Sequence, residues 1–280
     1  MRLSHLFSGL ALGAALSLSA AAASAGESEY PLSYVERPLT LPRFVLAPEL
    51  NLTIERGLSE SCVGFTQGSP ICVNVEAGAA FGITKDLEVG ATVLSFRSQP
   101  GLGFGYSEPQ IRGTYRFLSG QFELGVQLRA TFFVNYGAGV FLQPSVPMLL
   151  HLGKVARLDL NPGLDFALRG GCLGNGCAGT GGNAIGFELP VRFDIDIIEP
   201  LHVGANTGIF INDFGHAKES AAIPLGVFAG YAIGGKKPIV DIDPYFQWRT
   251  FVTPGGGING DKINPGNFQV GVEARLYLYL

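Results

Sequence analysis

Charge is scarce in this chain. Charged residues make up 15% of its 280 positions, where an ordinary soluble domain carries about 25%. Methionine occurs twice, tryptophan once, and lysine only at positions 85, 154, 218, 236, 237 and 262. This shortfall argues against a typical cytosolic enzyme. The formal net charge of −4 leaves no basic footprint for nucleic acid. Apolar runs of about 20 residues, which a membrane-spanning helix needs, are missing after residue 25, because charge, proline or glycine interrupts each one. Disorder is excluded by a hydrophobic content of 47%. What the chain does have is 40 Gly, 20 Phe and 9 Tyr, the makings of a β-structured single domain.

Residues 1–25 read as a secretory signal. Arg2 supplies the positive start, an uncharged stretch over 6–23 follows, and Ala23-Ser24-Ala25 gives a small-x-small cleavage pattern, so the mature chain is expected to begin at Gly26. An uncleaved anchor would need a basic stop-transfer cluster, and small residues follow instead. The four cysteines fit an oxidising compartment. Cys62 and Cys72, and Cys172 and Cys177, sit in glycine-rich, non-periodic segments. Zinc sites favour closer spacing than Cys62 to Cys72, and no metal or other cofactor is expected. Of the three possible pairings, the local one, in which each pair closes one loop, is the simplest.

Residues 26–43 are proline-rich and lack periodicity, and are read as an N-terminal periplasmic tail. From Phe44 to Leu280 the pattern changes to period two. In 121–132, Phe122, Leu124, Val126, Leu128, Ala130 and Phe132 share one face, and Gln121, Glu123, Gln127 and Arg129 the other. The same alternation runs through 185–197 and 266–280. It predicts strands with one apolar and one polar face. About twelve are expected, near 44–56, 71–83, 87–97, 107–117, 121–133, 138–151, 156–168, 184–197, 201–211, 220–233, 238–250 and 266–280. The connections alternate between tight turns and longer loops, with 134–137 the short member of the loop class. That alternation, with an even strand number, is the pattern of an all-β, antiparallel transmembrane β-barrel with short periplasmic turns and longer extracellular loops.

A soluble sandwich or lipocalin-like barrel also alternates. Against it, the strands run about 10–14 residues, which suits a tilted span. Every lysine falls in a turn or loop, whereas a soluble exterior carries lysine on its strands. Apolar-face aromatics gather toward the strand ends, as in the two girdles of a membrane barrel. The prolines at 48, 109, 144, 147, 162, 190, 224 and 244 cut the other way, since each removes a ladder donor. They imply a belt of bulges or local openings.

The terminal Arg275-Leu276-Tyr277-Leu278-Tyr279-Leu280, with the signal and the alternation, resembles a Gram-negative outer-membrane barrel ending in its assembly signal, although the usual terminal residue is Phe and here it is Leu280. The segment Gly82-Ile83-Thr84-Lys85-Asp86-Leu87-Glu88-Val89-Gly90 and the phrase Arg37-Pro38-Leu39-Thr40-Leu41-Pro42 are similar to uncharacterised barrels, including those linked to phenol-degradation pathways. The resemblance implies an outer-membrane location, contact with outer-membrane lipid, and the barrel-assembly machinery as a partner through the C-terminal strand. It fixes neither a solute nor an oligomeric state.

On the polar face stand the acids Glu49, Glu55, Glu76, Glu88, Glu123, Asp159, Asp165, Glu188, Asp194, Asp196, Asp241, Asp243 and Glu273, and the bases Arg112, Arg116, Arg129, Arg157, Arg192, Arg249 and Arg275. Lipid-facing charge is costly, so this face must look inward, together with Gln127. The acidic excess favours cations or neutral solutes. Asp194-Ile195-Asp196 and Asp241-Ile242-Asp243 pair carboxylates on one face, for a cation or for ion pairing to Arg192 or Arg249. The recurring Gly90, Gly125, Gly204 and Gly271 give either lumen space or relief of crowding. His216 beside Asp213 is the one histidine expected at the loop end, and no nucleophile motif accompanies it. No enzyme is expected. The leading function is a passive channel for small neutral or cationic solutes. The alternatives are a non-conducting structural or surface-interaction barrel braced by ion pairs and, behind that, an outer-membrane hydrolase.

Overall fold

A computed structural model describes residues 30–56, 71–99, 103–106, 108–133, 139–169, 185–255, 263 and 265–280. The signal segment, Cys62, Cys172 and Cys177 lie outside the described residues; Cys72 is buried near the start of the second strand.

Strict alternation between turn-forming residues produces the strands. They are β1 (Val45–Arg56), β2 (Ile71–Gly82), β3 (Leu87–Gln99), β4 (Gly103–Tyr106 and Gln110–Leu118), β5 (Phe122–Phe133), β6 (Gly139–Ser145 and Met148–Leu152), β7 (Ala156–Leu160 and Gly163–Arg169), β8 (Ile185–Ile198), β9 (Leu201–Ile211), β10 (Ala221–Gly234), β11 (Pro238–Val252) and β12 (Phe268–Leu276 and Leu278–Tyr279). Each pairs antiparallel with the next in sequence, and β1 pairs with β12 at Glu49 opposite Arg275 and Asn51 opposite Glu273, so the twelve-stranded sheet closes on itself. Closure leaves no strand edge and satisfies the backbone within the wall. Two of the tight turns use glycine at positive φ, Gly120 at 131° and Gly153 at 74°, a backbone region that side chains disfavour.

The prolines interrupt the ladder without opening the wall. β4 restarts after Pro109, β6 breaks before Pro147, and β7 breaks at Pro162. Each of these prolines lacks a donor but still accepts: Pro109 from the Phe132 N–H, Pro147 from Gly125 and Pro162 from Val146, all at 2.9 Å. Pro190 faces the β7 break and accepts from Asn161 at 3.3 Å. The register slips between Ile223 and Leu225, around Pro224. Pro48 lies where the β1–β12 seam is interrupted, between Leu46 opposite Leu278 and Glu49 opposite Arg275. Pro144 and Pro244 keep their places in the pairing with β5 and β12, while on their other flank the pairing with β7 and β10 skips them.

The recurring strand glycines make room for neighbouring side chains. A methyl at Gly271 would sit 2.5 Å from the Tyr245 ring, and one at Gly204 would sit 2.2 Å from Phe228. Crowding, rather than open lumen, is what these glycines relieve. Gly271→Ala is therefore expected to destabilise by about 1–3 kcal/mol, the usual cost of overpacking. Gly113→Ala, where a methyl meets nothing within 4 Å, should be close to neutral. Urea unfolding of both variants in lipid vesicles checks this; equal midpoints would contradict it.

Candidate functional site: the lumen and the segment seated in it

Ion pairs between strands that are not neighbours have to run through the barrel interior. Glu49 on β1 accepts from Arg112 of β4 at 3.0 Å and from Arg275 at 3.1 Å. Glu188 on β8 accepts from Arg129 of β5 at 3.3 Å. Glu55 takes Arg97 of β3 in a short contact and Arg249 of β11 at 2.9 Å. Within single strands, Arg157 meets Asp159 at 2.6 Å, Arg192 meets Asp194 at 2.9 Å, and Arg275 also reaches Glu273 at 3.2 Å. Gln127 donates to Thr114 at 2.9 Å. The Tyr245 hydroxyl bridges Thr53 and Asn51 at 2.6 and 3.2 Å. Charge-assisted bonds of this kind brace a wall.

Residues 30–43, within the stretch 26–43 expected as a tail, fold back into the barrel. The segment turns through one 3₁₀ turn at Tyr34–Glu36 and is held by groups close to the short turns. Glu88 of β3 accepts from the Leu41 N–H at 3.0 Å, and Glu123 of β5 from the Leu39 N–H at 2.9 Å. His151 of β6 lies 2.7 Å from the Val35 carbonyl, and Arg157 of β7 donates to the Tyr34 and Arg37 carbonyls. Ser33 donates to Asp196 of β8 at 2.6 Å. His202 of β9 stacks on Tyr34 at 4.1 Å, and the guanidiniums of Arg157 and Arg192 lie 4.7 and 4.9 Å from the same ring. Arg37 pairs with Asp241 of β11 and reaches Tyr277 at the β12 break. The segment thus occupies the turn-side mouth. A cavity of about 200 Å³ remains between it and the wall at Glu49, Glu88, Arg112 and Arg275.

These placements revise two expectations. Arg249 pairs with Glu55 rather than with the Asp241 and Asp243 pair. Asp241 serves the N-terminal segment, while Asp243 lies 3.5 Å from His202. Sequence reasoning also missed Tyr34, Arg37, Phe228 and His202 as interior groups. One signal pointed to them: turn-side acids in excess of the arginines beside them.

At the loop end, Asp213 caps the turn Phe214–His216. It accepts from Gly215 at 2.8 Å and from the His216 ring at 2.9 Å. These bonds, that to His216 foremost, hold the Asp213 carboxyl below its ordinary value. Ser220 Oγ is engaged with the Asp213 backbone, not with the imidazole. The trio is a loop cap, not a nucleophile beside its base.

The fold and interior define an outer-membrane-type β-barrel. Two solved porins share it. The chain is similar to the NanC porin, with a TM-score of 0.57 at 12% identity over 83% of this chain and 100% of that one. It is similar to the KdgM porin with a TM-score of 0.54 at 7% identity, over 82% and 98%. At such identities the likeness is one of fold. No protein-family model matches the sequence, and no curated protein matches it.

Proposed function

We propose that the chain is an outer-membrane barrel, exported through a cleaved signal at residues 1–25, that acts as a passive channel for small neutral or cationic solutes. The observation that carries the proposal is the pairing of an apolar exterior with a lumen lined by charged and amide side chains, the arrangement of a water-filled barrel channel. Arg37 and Arg97 add to the interior bases, yet the carboxylates remain in excess, and an acidic lumen disfavours anions. The resemblance to barrels linked to phenol degradation adds small aromatic solutes to the neutral candidates. The terminal strand ending at Leu280 is the segment offered to the assembly machinery.

A second reading, a non-conducting structural or surface-interaction barrel, is favoured by one observation, the N-terminal segment in the turn-side mouth. Planar-bilayer recording separates the two. The mature chain and an Arg37→Glu variant, which sets like charge against Asp241, are recorded under a salt gradient. Cation-selective current from at least one is expected. Silence from both, in protein whose gel migration shifts on heating as a folded barrel's does, would favour the structural barrel.

A further inference from the structure

We propose that residues 30–43 are the gate of the channel, a plug that leaves the turn-side mouth to open it. This rests on the channel reading above.

Three observations carry the proposal. First, the segment is outside the β-ladder. The wall grips it by side chains, through the carboxylates of Glu88 and Glu123 on its amides, the Arg37 to Asp241 pair, and the Ser33 to Asp196 bond. The barrel closes through β1 and β12 without it, so its departure breaks no strand pairing. Second, the segment joins the wall through a hinge that a relaxed chain would avoid. Phe44 has φ of 62°, a region that bulky side chains rarely adopt and that recurs in switch segments. The hinge runs so close to β2 that a methyl on Gly82 would lie 2.0 Å from the Pro42 carbonyl. That strained turn folds the segment back into the mouth; rotation at Phe44 would relax it at the cost of the bond from the Phe44 N–H to the Gly82 carbonyl at 2.7 Å, while the Phe44 carbonyl stays on the Leu280 N–H at 3.0 Å. Third, the segment is packed on one side only: Tyr30 and Leu41 join an apolar cluster with Val45, Ala47, Ala80 and Tyr277, while a cavity of about 200 Å³ lies beside Leu39, Thr40 and Leu41 on the Glu49, Glu88 and Arg112 side.

Current is then set by the fraction of time the segment spends out of the mouth. Three full-length proteins test this in planar bilayers: the mature chain, Arg37→Glu, and the double variant Ser33→Cys with Asp196→Cys, whose side chains meet in the docked state. Arg37→Glu is expected to raise mean current roughly tenfold or more over the mature chain. The oxidised double variant should stay closed, and dithiothreitol should restore its current to that of the mature chain given the same reductant. That control allows for reduction of the chain's own cysteines. If Arg37→Glu does not fold, the oxidised and reduced states of the double variant decide alone. Equal currents from all proteins and redox states would overturn the gate and leave the channel standing. Silence in all of them would overturn the channel reading itself.

Discussion

Replacing Val126 with arginine is expected to cost about 2–4 kcal/mol of folding stability, the penalty for a charge on the lipid face near mid-membrane. Gln127→Arg should cost far less. The two residues are adjacent on β5 and point to opposite sides of the wall. Val126 is 49% exposed and Leu128 53%, whereas Glu123 is 4% exposed. Outside this barrel the solvent is hydrocarbon, so the exposed side chains are the apolar ones. Gln127 lies opposite Thr114 and donates to it, on the face that also carries Arg129 and its partner Glu188. A new arginine there joins charges already paired through the lumen. The measurement is the urea midpoint of each variant folded into lipid vesicles. Because a one-residue slip exchanges the two faces of a strand, equal tolerance of both substitutions would refute the register. If the barrel conducts, Gln127→Arg should also move the reversal potential toward weaker cation preference.

The strands were legible because a membrane barrel writes its structure at period two. A strand that must meet lipid on one side and a polar interior on the other has no freedom to depart from alternation for long. Its tight turns then mark the boundaries, as Thr84-Lys85-Asp86 does between β2 and β3. Partner choice across the lumen was not legible, because it depends on height along tilted strands. Glu55 lies level with Gln269, and Gln269 with Gln247, two residues from Arg249. Asp243 lies level with Glu273 and Asn51, about 20 Å down the strand from Arg249 at the usual rise per residue. Sequence proximity suggested the pairing to Asp243, and geometry forbids it. The N-terminal segment was hidden for another reason. Its contacts are irregular, a backbone amide to a carboxylate here and a ring on a ring there, so no period records them. Only the charge imbalance did. Asp241 and Asp196 near the short turns had too few neighbouring arginines, and the missing partners were Arg37 and Ser33.

That dependence makes Arg37→Ala the second large expected effect. Arg37 is 2% exposed. It binds Asp241 through both terminal nitrogens, donates to the Leu32 and Pro31 carbonyls at 3.0 and 3.1 Å, and reaches the Tyr277 hydroxyl at 3.2 Å. Removing the guanidinium leaves the Asp241 carboxylate with the Tyr277 hydroxyl, at 2.6 Å, as its remaining short bond among the described residues. Breaking a buried pair in this way costs about 3–5 kcal/mol. The loss falls on docking of the segment and not on the barrel, since no strand pairing passes through Arg37. Amide exchange over 30–41 should therefore accelerate by about two to three and a half orders of magnitude, at tenfold per 1.4 kcal/mol, while the strands keep their protection. Arg37→Lys should fall between, because an ammonium keeps the charge but loses the two-pronged fit. The double variant Arg37→Met with Asp241→Leu should recover much of the protection, since replacing both charges by apolar groups removes the stranded carboxylate that makes the single change costly. If Arg37→Ala exchanges like the intact chain over 30–41, the pair does not hold the segment. If the double variant exchanges as fast as the single one, the cost lies in lost packing around Arg37 and not in the unpaired charge.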